Sequence, residues 1–154
     1  MNQNTKNYLG FDFGASSGRA ILGRLTLDGK KTLELEEVYR FPNEATFNGK
    51  NLVWETERLF GEMKTAICKT NEMGIHIDAI GVDTWGVDFG VIDENGKIVV
   101  SPIAYRDERT TGLMEEAYKT MSKADIFKNT GLAFMQFNTL YQILAMKKDP
   151  ELSQ

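Results

Sequence analysis

Two aspartates close apolar runs in this chain: Asp12 in YLGFDF and Asp83 in IDAIGVD. A carboxylate at the end of a core strand is costly to place unless something binds it. Gly14-Ala15-Ser16-Ser17-Gly18-Arg19 follows the first acid, and Thr84-Trp85-Gly86-Val87-Asp88 follows the second. The glycine-serine turn offers main-chain amides, two hydroxyls and the Arg19 cation, all suited to phosphate oxygens. Gly14 and Gly18 are expected to take backbone angles that other residues avoid, and small Ala15 and Ser16 to let a ligand approach the main chain. Asp12 stands where a magnesium-bound water on a polyphosphate would sit. Alone, the turn fits a plain hairpin equally well. The second carboxylate changes that balance, because two neighbouring parallel strands ending in acids make a polar cleft, and open α/β sheets bind ligands at such carboxyl ends. Trp85 adds a flat apolar plate and Gly86 access to the backbone. Taken singly, Trp85 reads as core and Asp83 and Asp88 as turn caps.

Other chemistries lack their residues. There is no G-x-x-x-x-G-K-[ST] stretch, so no phosphate loop of that kind. The lone histidine, His76, supports neither a zinc site nor a serine triad, and the turn's serines read as hydrogen-bond donors. The single cysteine, Cys68, excludes an internal disulfide and points to a reducing compartment. It borders an apolar helical stripe and reads as a small core residue. The chain has 154 residues, enough for one domain with a core, and a net charge of −4 that argues against a nucleic-acid surface. No apolar run has the length of a membrane span, and the polar MNQNTKN start is no signal peptide; the expected location is cytoplasmic.

Residues 8–13, 19–27 and 31–41 read as strands, the last two joined by a Leu-Asp-Gly-Lys hairpin. The third alternates imperfectly and carries acids on its wet side, which suits a sheet edge. Residues 55–73 have helical spacing, with Leu59, Phe60, Met63, Ala66, Ile67 and Thr70 on one stripe and Gly74 as terminator. A strand over 77–83 follows, then a hairpin of 87–92 and 97–100 around Asp93-Glu94-Asn95-Gly96. Thr110 or Thr111 is expected to cap a helix running to about Met121, with helical pieces at 124–128 and 140–148. Asp149-Pro150 stops the last of them, and residues 151–154 have no evident core role. The fold class is therefore α/β with a mixed sheet: three antiparallel N-terminal strands, then a helix and a parallel strand. A dinucleotide fold would open β-α-β, whereas here strand residues follow the glycine turn.

Together, DFGASSGR (12–19), IDAIGVDTWGVDF (77–89), AYRDERT (104–110) and FNTLYQ (137–142) resemble the FGGY carbohydrate-kinase family, in its branch acting on L-rhamnulose, from Tyr8 to about Leu152. The resemblance implies an actin-like, ribonuclease H-like ATPase fold in which two domains clasp a sugar and Mg-ATP. It implies that Ala15, Ser16, Ser17, Gly18 and Arg19 bind ATP phosphates, with Asp12 near the metal. Gly86 would lie against the sugar, with Asp83, Trp85 and Asp88 around it. Tyr105 stands where relatives often carry a sugar-contacting tryptophan, with Arg106 and Asp107 in support and Phe137 and Asn138 as neighbours. The implied reaction moves the ATP γ-phosphoryl group to the C1 hydroxyl of L-rhamnulose. In the family an aspartate of a later His-Asp-Thr-like segment is the general base, and no such segment occurs here. Residues 1–154 are accordingly expected to be the N-terminal part of the first domain, inactive alone and prone to self-association through uncovered apolar surface. Other readings are a kinase for another ketose, a ribonuclease H-like nuclease with metal on Asp12 and Asp83, and a sugar-binding module without chemistry.

Overall fold

The computed structural model describes residues 5–150. The tail read as having no core role, 151–154, lies outside them. In chain order the elements are β1 (Thr5–Phe13), β2 (Ser17–Thr26), β3 (Thr32–Pro42), β4 (Thr46–Phe47), β5 (Leu52–Val53) and α1 (Thr56–Glu72). They continue with β6 (Ala79–Asp83), β7 (Val91–Ile92), β8 (Ile98–Val100), a 3-10 turn (Glu108–Thr110), α2 (Leu113–Tyr118), α3 (Lys123–Thr130) and α4 (Thr139–Lys148). Where chain length suggests one domain, the contacts divide into two compact units. The first holds the chain through Ala45 and Glu55–Gly86, the second Thr46–Trp54 and the chain from Val87 onward.

The first unit is built on a four-stranded sheet of order β3-β2-β1-β6. β1 and β2 pair antiparallel, β2 and β3 antiparallel, and β1 and β6 parallel, as the sequence pattern requires. Alternation in β1 sends Leu9, Phe11 and Phe13 into the core and Tyr8, Gly10 and Asp12 to the opposite face. Ala20, Leu22 and Phe41 join the core face, which α1 covers from the β3 side with Leu59, Ala66 and Thr70. The acid-bearing β3 is an edge, as its composition indicates.

Two readings of α1 are corrected. Phe60 is 53% exposed, its ring lying 4.3 Å below the Lys64 ammonium. Cys68 is exposed rather than core. Both follow from helix geometry: Phe60 stands about 100° round the axis from Leu59, and Cys68 about 200° from Ala66. The sheet covers a narrower arc than the apolar residues occupy.

The parallel register of β6 has a local cause. The Asp78 carboxylate accepts from the Asn7 amide and from Lys6 Nζ, both at 2.8 Å, and Asn7 Nδ2 donates to the His76 carbonyl at 2.9 Å. These two donors hold Asp78 below the usual carboxylate range, Lys6 contributing most. The staple fixes the start of β6 against β1, and Asp83 falls opposite Asp12 five residues later. Ile80 and Val82 stand opposite Leu9 and Phe11, yet at this edge they remain about half exposed.

In the second unit, segment 52–54 pairs with 102–104: Trp54 N donates to Pro102 O and Ala104 N to Leu52 O, both at 2.8 Å. The β7–β8 hairpin turns as expected, with Asp93 Oδ1 accepting from the Asn95 and Lys97 amides. The expected Thr110 or Thr111 cap is corrected. Thr110 is buried in the 3-10 turn, and Gly112, at φ 77°, precedes α2. The Asp107 carboxylate caps that turn by accepting from the Arg109 amide, and the left-handed glycine then redirects the chain into the helix. Trp54, Ile103, Leu113, Ile126 and Tyr141 are among this unit's buried residues. Among the described residues, no helix is long and apolar enough to cross a membrane.

Candidate functional site

The 14–17 turn joins β1 to β2, with Gly14 N donating to Ser17 O at 3.0 Å. Neither Gly14 nor Gly18 has a positive φ, so the expectation that they supply unusual backbone angles is corrected. Their reason is space. A Cβ on Gly18 would lie 2.1 Å from Phe41 Cζ, and one on Gly14 would lie 3.0 Å from the Ser17 carbonyl. At the tip, the Ala15 and Ser16 amides take no partner among the described residues, and Ser16 is exposed.

Strand register carries the charged residues into one line. Asp83 is opposite Asp12, Asp12 opposite Arg19, and Arg19 opposite Arg40. Laterally paired residues project from the same face of a sheet, so a row of two carboxylates followed by two guanidiniums crosses all four strands. Arg19 Nε and Nη2 both reach Asp12 Oδ2, at 2.9 and 2.8 Å. Arg40 grips Glu37 at 2.9 and 2.5 Å and gives Nη1 to Ser17 Oγ at 3.2 Å. Those bonds to Glu37 push the Arg40 pKa up and the Glu37 pKa down.

Thus Asp12, Arg19 and Asp83 meet on one face, beside the turn. Neighbouring Asp12 and Asp83 offer hard oxygen donors, a set that fits magnesium, which takes one or two carboxylates and completes its shell with phosphate and water. Among the described residues, no group of three or more His, Cys, Asp or Glu could hold a metal. Trp85 is half-buried and Gly86 exposed. Gly86 has no positive φ, and a Cβ there would meet nothing within 4 Å.

Asp88 and Tyr105 belong to the second unit. Asp88 Oδ2 accepts from Trp54 Nε1 at 2.6 Å and from the Tyr105 amide at 3.1 Å, and its Oδ1 accepts from Gln142 Nε2 at 3.0 Å. Tyr105 meets Phe137, one of its two expected neighbours, edge-on at 5.6 Å, and the guanidinium of Arg106, expected in support, lies 5.5 Å from its ring centre. Asp107 points elsewhere: it accepts from the Leu52 amide at 2.7 Å and from Asn51 Nδ2 at 3.2 Å, besides Arg109 N. The expected support of Tyr105 by Asp107 is corrected accordingly. Asn138 Nδ2 is engaged with the Ala133 carbonyl. Burial pushes the Arg109 guanidinium pKa down against the pull of Asp107 and Asp88, and its Nη2 donates to Gln142 Oε1 at 2.8 Å.

Sequence reasoning missed Arg40 and Asn43 in the first unit and Trp54 and Gln142 in the second. The signal for the first pair was the Arg-Phe-Pro-Asn run ending β3, where polar residues flank a core phenylalanine.

Residues 7–153 match the family model described as the FGGY family of carbohydrate kinases, N-terminal domain. Gluconate kinase from Lactobacillus acidophilus superposes with a TM-score of 0.76 at 15% identity, over 98% of this chain and 30% of that one. Ligand-bound xylulose kinase from the same organism gives 0.75 at 16%, over 97% and 30%. Xylulose kinase from Rhodospirillum rubrum gives 0.67 at 12%, over 96% and 31%. The chain spans about 30% of the length of these kinases. At such identities the likeness is one of fold, and it is the mixed α/β fold expected. With residues 7–153 matched by that family model, the chain belongs to the FGGY family of carbohydrate kinases, in the region of that family's N-terminal domain.

Proposed function

We propose that this chain holds the polyphosphate of magnesium ATP on the 14–17 turn and the charged row beside it, for transfer of a phosphoryl group to a sugar hydroxyl. One observation carries the reading: the row runs acid, acid, base, base across the sheet, next to a turn with open amides. Phosphoryl transfer asks a protein for positioning and charge neutralisation more than for covalent chemistry. Asp12 and Asp83 would hold the magnesium, which when bound neutralises phosphate charge. Ala15, Ser16, Ser17 and Gly18 would present donors, and Arg19 a cation. Family membership favours this over the nuclease alternative.

The sugar we infer is L-rhamnulose, on the support of the DTWGVDF and YRD-E-RT blocks. The likeness to gluconate and xylulose kinases supports a second reading, another acceptor of the same family. Titration with L-rhamnulose, D-xylulose and gluconate, read by tryptophan fluorescence, tests both. Saturation with L-rhamnulose alone supports the first reading, saturation with another sugar moves the assignment to it, and no response to any sinks both. Since the fold asks nothing of a glycine at 86, Gly86→Ala should leave the urea midpoint unchanged. If the sugar lies against it, the same variant weakens the response about tenfold, or ~1.4 kcal/mol.

On this reading the residues form the first part of a longer catalytic assembly, since the implied general base belongs to a segment not among these 154. The chain by itself should form no ADP from ATP and L-rhamnulose in a coupled assay; sugar-dependent turnover would overturn this. Exposed Ile80 and Val82 support the expected self-association, and an exposed free Cys68 suits a reducing, cytoplasmic setting.

A further inference from the structure

Asn43 is fully buried, an unusual place for a carboxamide unless each of its polar atoms has a partner. Its Nδ2 donates to the Gly14 carbonyl at 2.7 Å, and its backbone amide donates to the Ser16 carbonyl at 3.1 Å. Its Oδ1 accepts from Arg58 Nη2 at 3.1 Å, while Arg58 Nη1 donates to the Pro42 carbonyl at 3.2 Å. The guanidinium thereby settles which end of the carboxamide faces it, because only Oδ1 can accept, and Nδ2 is left aimed at the turn.

This clasp sets the direction of the turn's amides. In a trans peptide the carbonyl and the following N–H point to opposite sides. Drawing the Gly14 carbonyl inward turns the Ala15 N–H outward, and drawing the Ser16 carbonyl inward does the same for Ser17. Nothing in the side chains of the turn itself imposes that orientation.

We propose that Asn43, locked by Arg58, is the positioning residue that aims the amides of the 14–17 turn at a phosphate group. The proposal rests on the nucleotide reading above, and its test separates the two. In the labelled chain, the Gly14 carbonyl carbon shift and the Ala15, Ser16 and Ser17 amides are followed by NMR, first without ligand and then during titration with magnesium ATP. Asn43→Asp keeps the size and the Arg58 contact but replaces the donor facing Gly14 by a carboxylate oxygen. It should move the Gly14 carbonyl signal without ligand and weaken magnesium ATP at least tenfold.

Arg58→Ala leaves Asn43 in place but removes the lock. It should weaken binding about threefold, and it serves should Asn43→Asp fail to fold. A lower melting temperature with affinity within twofold of the parent would make Asn43 merely structural and overturn the proposal. So would an unmoved Gly14 signal. If the parent turn ignores magnesium ATP while Asn43→Asp still shifts Gly14, the nucleotide reading falls, taking the phosphate role with it, and only the clasp survives.

Discussion

Gly18→Ala is expected to destabilise the first unit by about 1–3 kcal/mol, the usual range for forcing a methyl group into a filled core. The reason is a single clash, since the new Cβ would fall 2.1 Å from Phe41 Cζ and 2.4 Å from Cε2. Phe41 cannot swing clear. Its ring is 2% exposed and held by Phe13 and Tyr39, both with ring centres 5.8 Å away. Urea unfolding should show a lower midpoint with an unchanged slope. A second consequence follows from chain order: Phe41 stands two residues before Asn43, so a displaced ring also loosens the clasp on the turn. Magnesium ATP binding should weaken with the stability, whereas Gly86→Ala leaves stability untouched. A Gly18→Ala protein as stable as its parent would show that Phe41 has room, and the steric account of the glycine would fail.

The elements that strand and helix periods dictate were legible from residue types alone. Alternation in β1, the Asp-Gly and Asn-Gly turns and the 55–73 stripe led to the correct elements and to a parallel β6. The adjacency of Asp12 and Asp83 was legible too, because both acids end strands of one sheet. Arg40 was not. The β2–β3 register shifts between Ala20 and Ile21, so that Tyr39 faces Ala20 and Glu37 faces Ile21, leaving Val38 as the extra residue. Without that bulge Arg40 would stand opposite Gly18, on the core face; a slip of one residue exchanges the faces of everything beyond it. The imperfect alternation of β3 was the visible trace of this. Phe60 and Cys68 were misjudged for another reason. An apolar stripe states which side of a helix goes inward, but the arc that is covered depends on how far the sheet extends beneath it. The two glycines of the turn show the same limit, since the space that Gly18 leaves is filled by a ring twenty-three residues later.

Asp88→Ala should destabilise the second unit by about 3 kcal/mol, and Asp88→Asn by about 1–2 kcal/mol, because a buried donor left without its acceptor incurs its full desolvation cost. Read from sequence, Asp88 is a sugar contact or a turn cap. In the structure its carboxylate is the acceptor for three donors drawn from separated stretches: Trp54 Nε1, the Tyr105 amide and Gln142 Nε2. Trp54 is 2% and Gln142 1% exposed, so water cannot replace the lost acceptor. Gln142 keeps partial compensation through the Val87 and Phe137 carbonyls, while the indole of Trp54 loses a 2.6 Å bond to the carboxylate. Asparagine retains one oxygen for Trp54 and Tyr105 but turns an amino group toward Gln142 Nε2. A flip of Gln142 to meet it would surrender the Arg109 contact at Oε1. Unequal losses are therefore expected from two substitutions that both remove the charge, and thermal unfolding reads them directly. A sugar contact would behave the other way, with unfolding unchanged and the fluorescence response to sugar lost. If Asp88→Ala melts with its parent, the carboxylate is not the keystone of the second unit, and its place beside the sugar becomes the better account.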